Sequence, residues 1–273
     1  MPMPMIEIAQ YKISKLVCGT NSFLGFSHFS YARDTFLKRY FSVERIAEVM
    51  KICLEKGINA FVGPADPKLA EARKLVEDEV GQRMIWISTT YGHREKEKQA
   101  EEIKWLSKQK AEICLIHASF TDSHLISGEN KIEGIEDLLS LIREGGMIPG
   151  LSTHRPDTLP SAEAAGYDVA CYILPLNVIG FLCAVETNWQ AEIIRRTPKP
   201  VIIIKPLAAG RVMPYEALYY VLANTKPNDP IAIGFMNKEE VEEDVSITEM
   251  ILSGKGEMKL LYSPSKSLLE GEK

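Results

Sequence analysis

Eight times along this chain a short apolar, β-branched run is followed by a stretch with helical periodicity, and few folds accommodate that alternation. The runs cover residues 15–19, 58–62, 84–88, 113–117, 147–152, 169–174, 201–205 and 231–233. Helices are expected over 43–56, 66–81, 94–110, 135–143, 156–165, 186–196, 215–223 and 238–252. Four consecutive apolar residues, as in Val201–Ile204, are buried on both faces only in a parallel sheet covered on both sides. Ser42 and Gly57 bracket the first of these helices as caps. Eight units without a composition break predict a (β/α)8 TIM barrel, an α/β fold, over residues 1–254. Ile6, Ile8, Tyr11 and Ile13 mark a short N-terminal hairpin, and residues 255–273 read as a C-terminal tail of weak periodicity. A doubly wound sheet is the alternative architecture.

A formal net charge of −5 provides no basic stripe for nucleic acid or a membrane surface. No apolar run approaches the ~20 residues of a membrane helix, and MPMPMIEIAQYKISK lacks the apolar core of a signal peptide, so a cytoplasmic location is expected. Cys18, Cys53, Cys114, Cys171 and Cys183 lie mostly in apolar settings without a C-x-x-C pair, which reads as reduced thiols packed in a core.

The active site of such a barrel is built from the loops that follow the strands. All five histidines fall there: His28, His93, His117, His124 and His154. His117 ends the run ICLI and is expected to project into the barrel mouth, where it can exchange a proton. The loop from Thr20 to Ser42 carries Phe23, Phe26, Phe29, Tyr31, Phe36, Tyr40 and Phe41, the makings of a lid or wall, with packing favoured over ligand contact. In KPLAAGR, residues 205–211, small residues beside Arg211 form either a phosphate seat or an ordinary strand stop.

Taken together these stretches resemble the aldo-keto reductase superfamily. KISKLVCGT is similar to its first strand, EKGINAF to the entry to the second, GLSTH to the stretch after the fifth, KPLAAG to the seventh-strand loop, and IAIGFMNKEEVEEDV to the eighth strand and its helix. The resemblance runs from Lys12 to about Leu252. It implies NADP(H) across the barrel top, with Ser152 and Thr153 at the nicotinamide amide and Leu207, Gly210 and Arg211 along the pyrophosphate. Gly234, Met236, Asn237 and Lys238 would then meet the adenosine phosphate, with Glu243 and Asp244 at the adenine positions, where the family more often has Glu and Asn.

The family's catalytic Asp, Tyr, Lys and His are represented here only by His117. Val62 stands at the aspartate position, GPADPK where the tyrosine would follow, and Thr89 and Thr90 where the lysine would be. Tyr91, with Lys205 as cation and Asp66 as carboxylate, is the candidate replacement set. The resulting expectation is a divergent NADP(H)-linked oxidoreductase acting on a small carbonyl or alcohol, with His117 as proton donor. Two alternatives remain. One is a metal-assisted hydrolase or isomerase with ligands among His93, His117, His124 and His154, completed by Asp66 or Asp122. The other is a non-catalytic binder of a nucleotide or small ligand.

Overall fold

The computed structural model describes residues 3 to 254, and the expected tail at 255–273 lies outside them. The strands are β1 (Met5–Ile8), β2 (Tyr11–Ser14), β3 (Leu16–Gly19), β4 (Ala60–Pro64), β5 (Ile85–Thr89), β6 (Ile113–Ile116), β7 (Leu125–Ile126), β8 (Lys131–Ile132), β9 (Ile148–Ser152), β10 (Cys171–Pro175), β11 (Val201–Ile204) and β12 (Ile231–Gly234). The helices are α1 (Tyr31–Tyr40), α2 (Val43–Glu55), α3 (Pro67–Val80), α4 (Lys96–Lys108), α5 (Ala118–His124), α6 (Ile135–Glu144), α7 (Thr158–Ala165), α8 (Thr187–Arg196), α9 (Pro214–Asn224) and α10 (Lys238–Ser253).

Eight parallel strands close in the order β10-β11-β12-β3-β4-β5-β6-β9, so the (β/α)8 barrel is the fold and the doubly wound sheet is not. Alternation along each strand divides the core in two. Val17, Val62, Ile87, Ile113, Leu115, Ile173 and Ile202 fill the barrel interior, whereas Cys114, Ile116 and Ile203 face the helices. Gly150 lies where a side chain does not fit, since a Cβ there would come within 2.7 Å of Cys171 O and 2.8 Å of Leu115 Cγ. The antiparallel hairpin β1-β2 pairs Ile6 with Ile13, and its Ile8 and Ile13 join the interior cluster, plugging the end of the barrel from which β3 starts. At that same end the buried Lys15 ammonium donates to Lys226 O at 3.3 Å, Pro227 O at 3.2 Å and Asp229 O at 2.6 Å.

Two segments expected as loops contain more structure. Between Thr20 and Ser42 lies α1, capped by Ser30 Oγ, which accepts from Arg33 N at 3.2 Å; only its Leu37 is buried, so its apolar periodicity is faint. The polar stretch 118–133 holds α5 and the small hairpin β7-β8. Of the aromatic residues in 20–42, Phe23 and Phe41 are core, while Phe26, Phe29, Tyr31 and Phe36 are exposed. Cys18, Cys53, Cys114 and Cys171 are buried free thiols; Cys183 is free but only half-buried, in the loop after β10.

Candidate active site at the barrel mouth

Lys205 follows β11 directly, at the mouth of the barrel. Its charge bears on His28, His117, His154 and Cys183, residues that follow β3, β6, β9 and β10 respectively. Its backbone is left-handed, with φ 61°, an uncommon state for a residue with a Cβ and one that gathers at functional sites. Burial lowers its ammonium pKa to about 8, and the charge of Cys183 opposes that shift.

His117 stands at the start of α5 and caps it. Its Nδ1 accepts from Ser119 N at 3.0 Å, so the neutral ring carries its proton on Nε2. Burial, followed by the charges of Lys205 and His93, lowers its pKa to about 4. The backbone N–H of His117 donates to Thr90 Oγ1 at 2.9 Å, and Thr90 in turn bonds to Gln99, so the threonine expected in place of a lysine positions the histidine.

Tyr91 and Asp66 come together as the sequence suggested, but the phenol donates to Asp66 Oδ2 at 2.7 Å. Burial and then that hydrogen bond push the phenol far above its ordinary pKa, which holds the proton on oxygen. Asp66 also caps α3, accepting from Lys68 N at 2.8 Å. His154 has its pKa lowered to about 4 by burial, Lys205 and the neighbouring histidines, and its backbone N–H donates to Asp122 Oδ2 at 3.0 Å. Thr153 is fully buried, with its hydroxyl shared among Asp122, Thr158 and the Arg155 backbone; Ser152 Oγ has no protein partner among the described residues.

The turn after Lys205 is unusually wound. Ala208, Ala209 and Gly210 are all left-handed, with φ 48°, 59° and 81°. Arg211 donates to Ala208 O at 3.0 Å and to His28 O at 3.2 Å, and its guanidinium carbon stands 4.4 Å from the Phe181 ring centroid and 5.4 Å from that of Phe29. Arg211 therefore ties the loops after β3, β10 and β11 together across the rim. The sequence offers no site role for Phe181 and reads Cys183 only as a thiol packed in a core; the apolar stretch VIGFLCAV after the sixth strand is the available signal.

The start of α10 is satisfied from within. Asn237 Oδ1 accepts from Glu240 N at 2.9 Å, Glu240 Oε2 accepts from Met236 N at 2.8 Å, and Lys238 lies 3.8 Å from Glu242. A carboxylate of the chain thus holds an amide that a phosphate would use. One turn further on, Asp244 is 3% exposed and its Oδ1 lacks a partner. Burial, then Glu243 and Glu240, raise its pKa to about 7. The folded protein therefore binds this proton more tightly than the unfolded chain, and stability falls as pH rises from about 4 to 7. Asp244→Asn is expected to remove about 2 to 4 kcal/mol of that fall, read from urea unfolding at pH 5 and pH 8; an unchanged pH slope would show that the carboxyl is hydrated.

Not all the histidines converge. His28, His117 and His154 share the mouth with Lys205, and His93 is 3.3 Å from Glu102. His124 instead stacks on Phe120 within α5, at 3.9 Å between ring centroids. Among the described residues no three His, Cys, Asp or Glu side chains are grouped to hold a metal ion, so the metal-assisted alternative lacks a donor set.

The sequence matches no family model, and no curated protein matches it significantly. Its fold does match solved structures. A candidate aldo-keto reductase from Pseudomonas aeruginosa superposes with a TM-score of 0.65 at 17% identity, covering 91% of this chain and 94% of that one. An aldo-keto reductase from Bacillus halodurans, in its holo form, gives 0.59 at 14% identity over 90% and 91%, and a glycerol dehydrogenase from Gluconobacter oxydans gives 0.56 at 14% over 97% and 100%. At these identities the likeness is one of fold: the barrel of this chain superposes on theirs. No helix in the described residues is long and apolar enough to cross a membrane.

Proposed function

We propose that this protein is a divergent oxidoreductase of the aldo-keto reductase type, which interconverts a small carbonyl compound and its alcohol with a nicotinamide dinucleotide. The observation that carries the reading is His117, a neutral imidazole at the end of the fourth barrel strand with its proton on Nε2 and no protein acceptor for it among the described residues. Such a ring donates a hydrogen bond to a carbonyl oxygen and stabilises the negative charge that develops there. The adjacent Lys205 charge acts in the same direction.

The dinucleotide, when bound, supplies the hydride. Ser152 is free to meet its amide end, and the left-handed turn 208–210 brings backbone close to its diphosphate. Leu207 and Gly210 would border that turn, with Arg211 bracing it rather than reaching out. The extra phosphate of NADP(H) has a poorer seat, because Glu240 occupies the start of α10 and Lys238 faces Glu242. A carboxylate in such a place suits a ribose hydroxyl better than a phosphate.

Calorimetric titration with NADH and NADPH tests the reading. Micromolar binding, with NADH at least as tight as NADPH, is the expected result. Failure of both to bind would remove the oxidoreductase reading and leave a binder of some other small ligand in the mouth.

A further inference from the structure

We propose that one side of the mouth rim, formed by the segments after β3, β10 and β11, is a docking surface for an anionic lipid bilayer. The inference is independent of the chemistry proposed for the mouth.

Exposed apolar side chains are ordinary when they stand singly, but gathered at one end of a molecule they mark a surface with a partner. Fourteen large apolar side chains are exposed among the described residues, and nine of them lie at the mouth end. Four fall between β3 and α2, four between β10 and the first turn of α8, and one just before α9, whereas the other five are spread over β1, α3, α9 and α10. Helix α1 is the clearest case. A helix that served only to cover the barrel would turn its apolar residues inward. Helix α1 turns in Leu37 alone and leaves Tyr31, at 87% exposure, and Phe36 in solvent, with Arg39 one turn from Phe36.

Cations are interleaved with these rings. The Arg211 guanidinium, already placed between Phe29 and Phe181, joins the loops after β3 and β10; Arg33 stands 5.4 Å from the Phe29 centroid and Lys38 Nζ 5.9 Å from that of Phe26. Arg45 lies 4.3 Å from the Tyr40 centroid, and Tyr40 stacks on Phe36 at 5.4 Å. None of these cations, nor Arg39, forms an ion pair with a carboxylate among the described residues, whereas Lys51, Lys56, Lys96 and Arg143 on the outer helices do. The carboxylates of the rim segments serve the backbone instead. Asp34 accepts from Ser27 N at 2.8 Å, Glu186 accepts from Asn188 N at 3.0 Å and Trp189 N at 3.1 Å, and Glu44 lies in the first turn of α2. Residues 20–45, 176–189 and 205–213 together hold six Lys or Arg and three Asp or Glu, the reverse of the balance that gives the whole chain its −5. Aromatic rings beside Arg and Lys are suited to the bilayer interface, where rings settle at the headgroup level and cations meet anionic headgroups. A second copy of the chain would set these like charges against one another.

The test is co-sedimentation of the full chain with vesicles of phosphatidylcholine alone and of phosphatidylcholine with about 30% phosphatidylserine. The mixed vesicles are expected to bind the protein roughly ten-fold more tightly than the neutral ones, and the difference to shrink as salt is raised. Arg39→Glu replaces an attractive charge with a repulsive one and should weaken binding about ten-fold, and Phe36→Ser should do the same by removing a ring from the interface. Both side chains are exposed, so the fold should survive either change, which circular dichroism checks. Leu75→Ser, on α3 away from the rim, should bind as the wild type does. Trp189, 63% exposed at the start of α8, gives a second readout: brominated phosphatidylcholine in the mixed vesicles is expected to quench its emission, and Trp189→Phe to abolish that quenching. Absence of sedimentation with the anionic vesicles would overturn the proposal, whether the rim is then covered by the chain's own residues 255–273 or by an acidic protein. Equal binding by Arg39→Glu, Phe36→Ser and the wild type would also overturn it, by placing the contact elsewhere on the surface. Dimers in sedimentation velocity that dissociate in Phe36→Ser would do so too, by making the rim an interface between two copies.

Discussion

Replacing Glu112 by alanine is expected to destabilise the fold by about 3 to 5 kcal/mol, the cost of removing one member of a buried charge network. Glu112 is 3% exposed and lies just before β6, at the end of the barrel opposite the mouth. Its Oε1 accepts from Arg73 Nη2 at 2.8 Å and from Arg83 Nε at 2.5 Å, while Oε2 accepts from Trp86 N at 2.8 Å. Arg73 is itself buried on α3 and retains only Glu77, 2.7 Å from its Nε, and Lys110 O, 3.3 Å from its Nη1, when Glu112 is lost. The alanine variant leaves a guanidinium half-paired and an amide without its acceptor, both shut away from water. Glu112→Gln keeps an acceptor and loses the charge, so it should fall between wild type and alanine. Urea unfolding of the three proteins decides the matter; a loss under about 1 kcal/mol in the alanine variant would mean that water replaces the carboxylate and that the network is ornamental.

His117→Ala should lower kcat for the best carbonyl substrate by roughly a hundred- to ten-thousand-fold, the range for removing a positioned proton-handling group. KM should change far less, because the lost group acts mainly on the charge that develops at the carbonyl oxygen in the transition state. A second signature follows from the direction of the pKa shift. With the imidazole pushed down to about 4, the ring is neutral in both folded enzyme and assay down to that pH, so the rate should show no inflection near the ordinary histidine value of about 6.5. An inflection there that disappears in His117→Ala would show that the imidazolium, and not the neutral ring, is the working form. Undiminished turnover in the variant would remove His117 from the mechanism.

Much of the fold could be read from the sequence because its signals are local. The apolar runs that became β3, β6 and β11 are buried on both faces, and only a parallel sheet wrapped in helices allows that. Ser42, and Asp66 with Pro67, each mark a helix start where the structure has one. The two overlooked helices have weaker local signals. Helix α1 buries a single residue, and α5 is seven residues long and capped by a histidine side chain, which apolar periodicity does not register.

At the site, residue identity and residue company separate. The sequence alone placed the histidines, Tyr91, Lys205 and the turn KPLAAGR at strand ends, because a barrel puts whatever follows a strand at its mouth. The tertiary structure decided which of these groups meet. It gave Arg211 to Phe29, Phe181 and the backbone rather than to an open anion seat, set Glu240 across the start of α10, and turned Tyr91 onto Asp66 so that its proton is held. It also left Lys205 without a partner among the described residues. Charge and proton affinity at each of these positions depend on burial and on groups far away in the chain, such as His28 and Arg211, 183 residues apart, and no local pattern of residues carries that information.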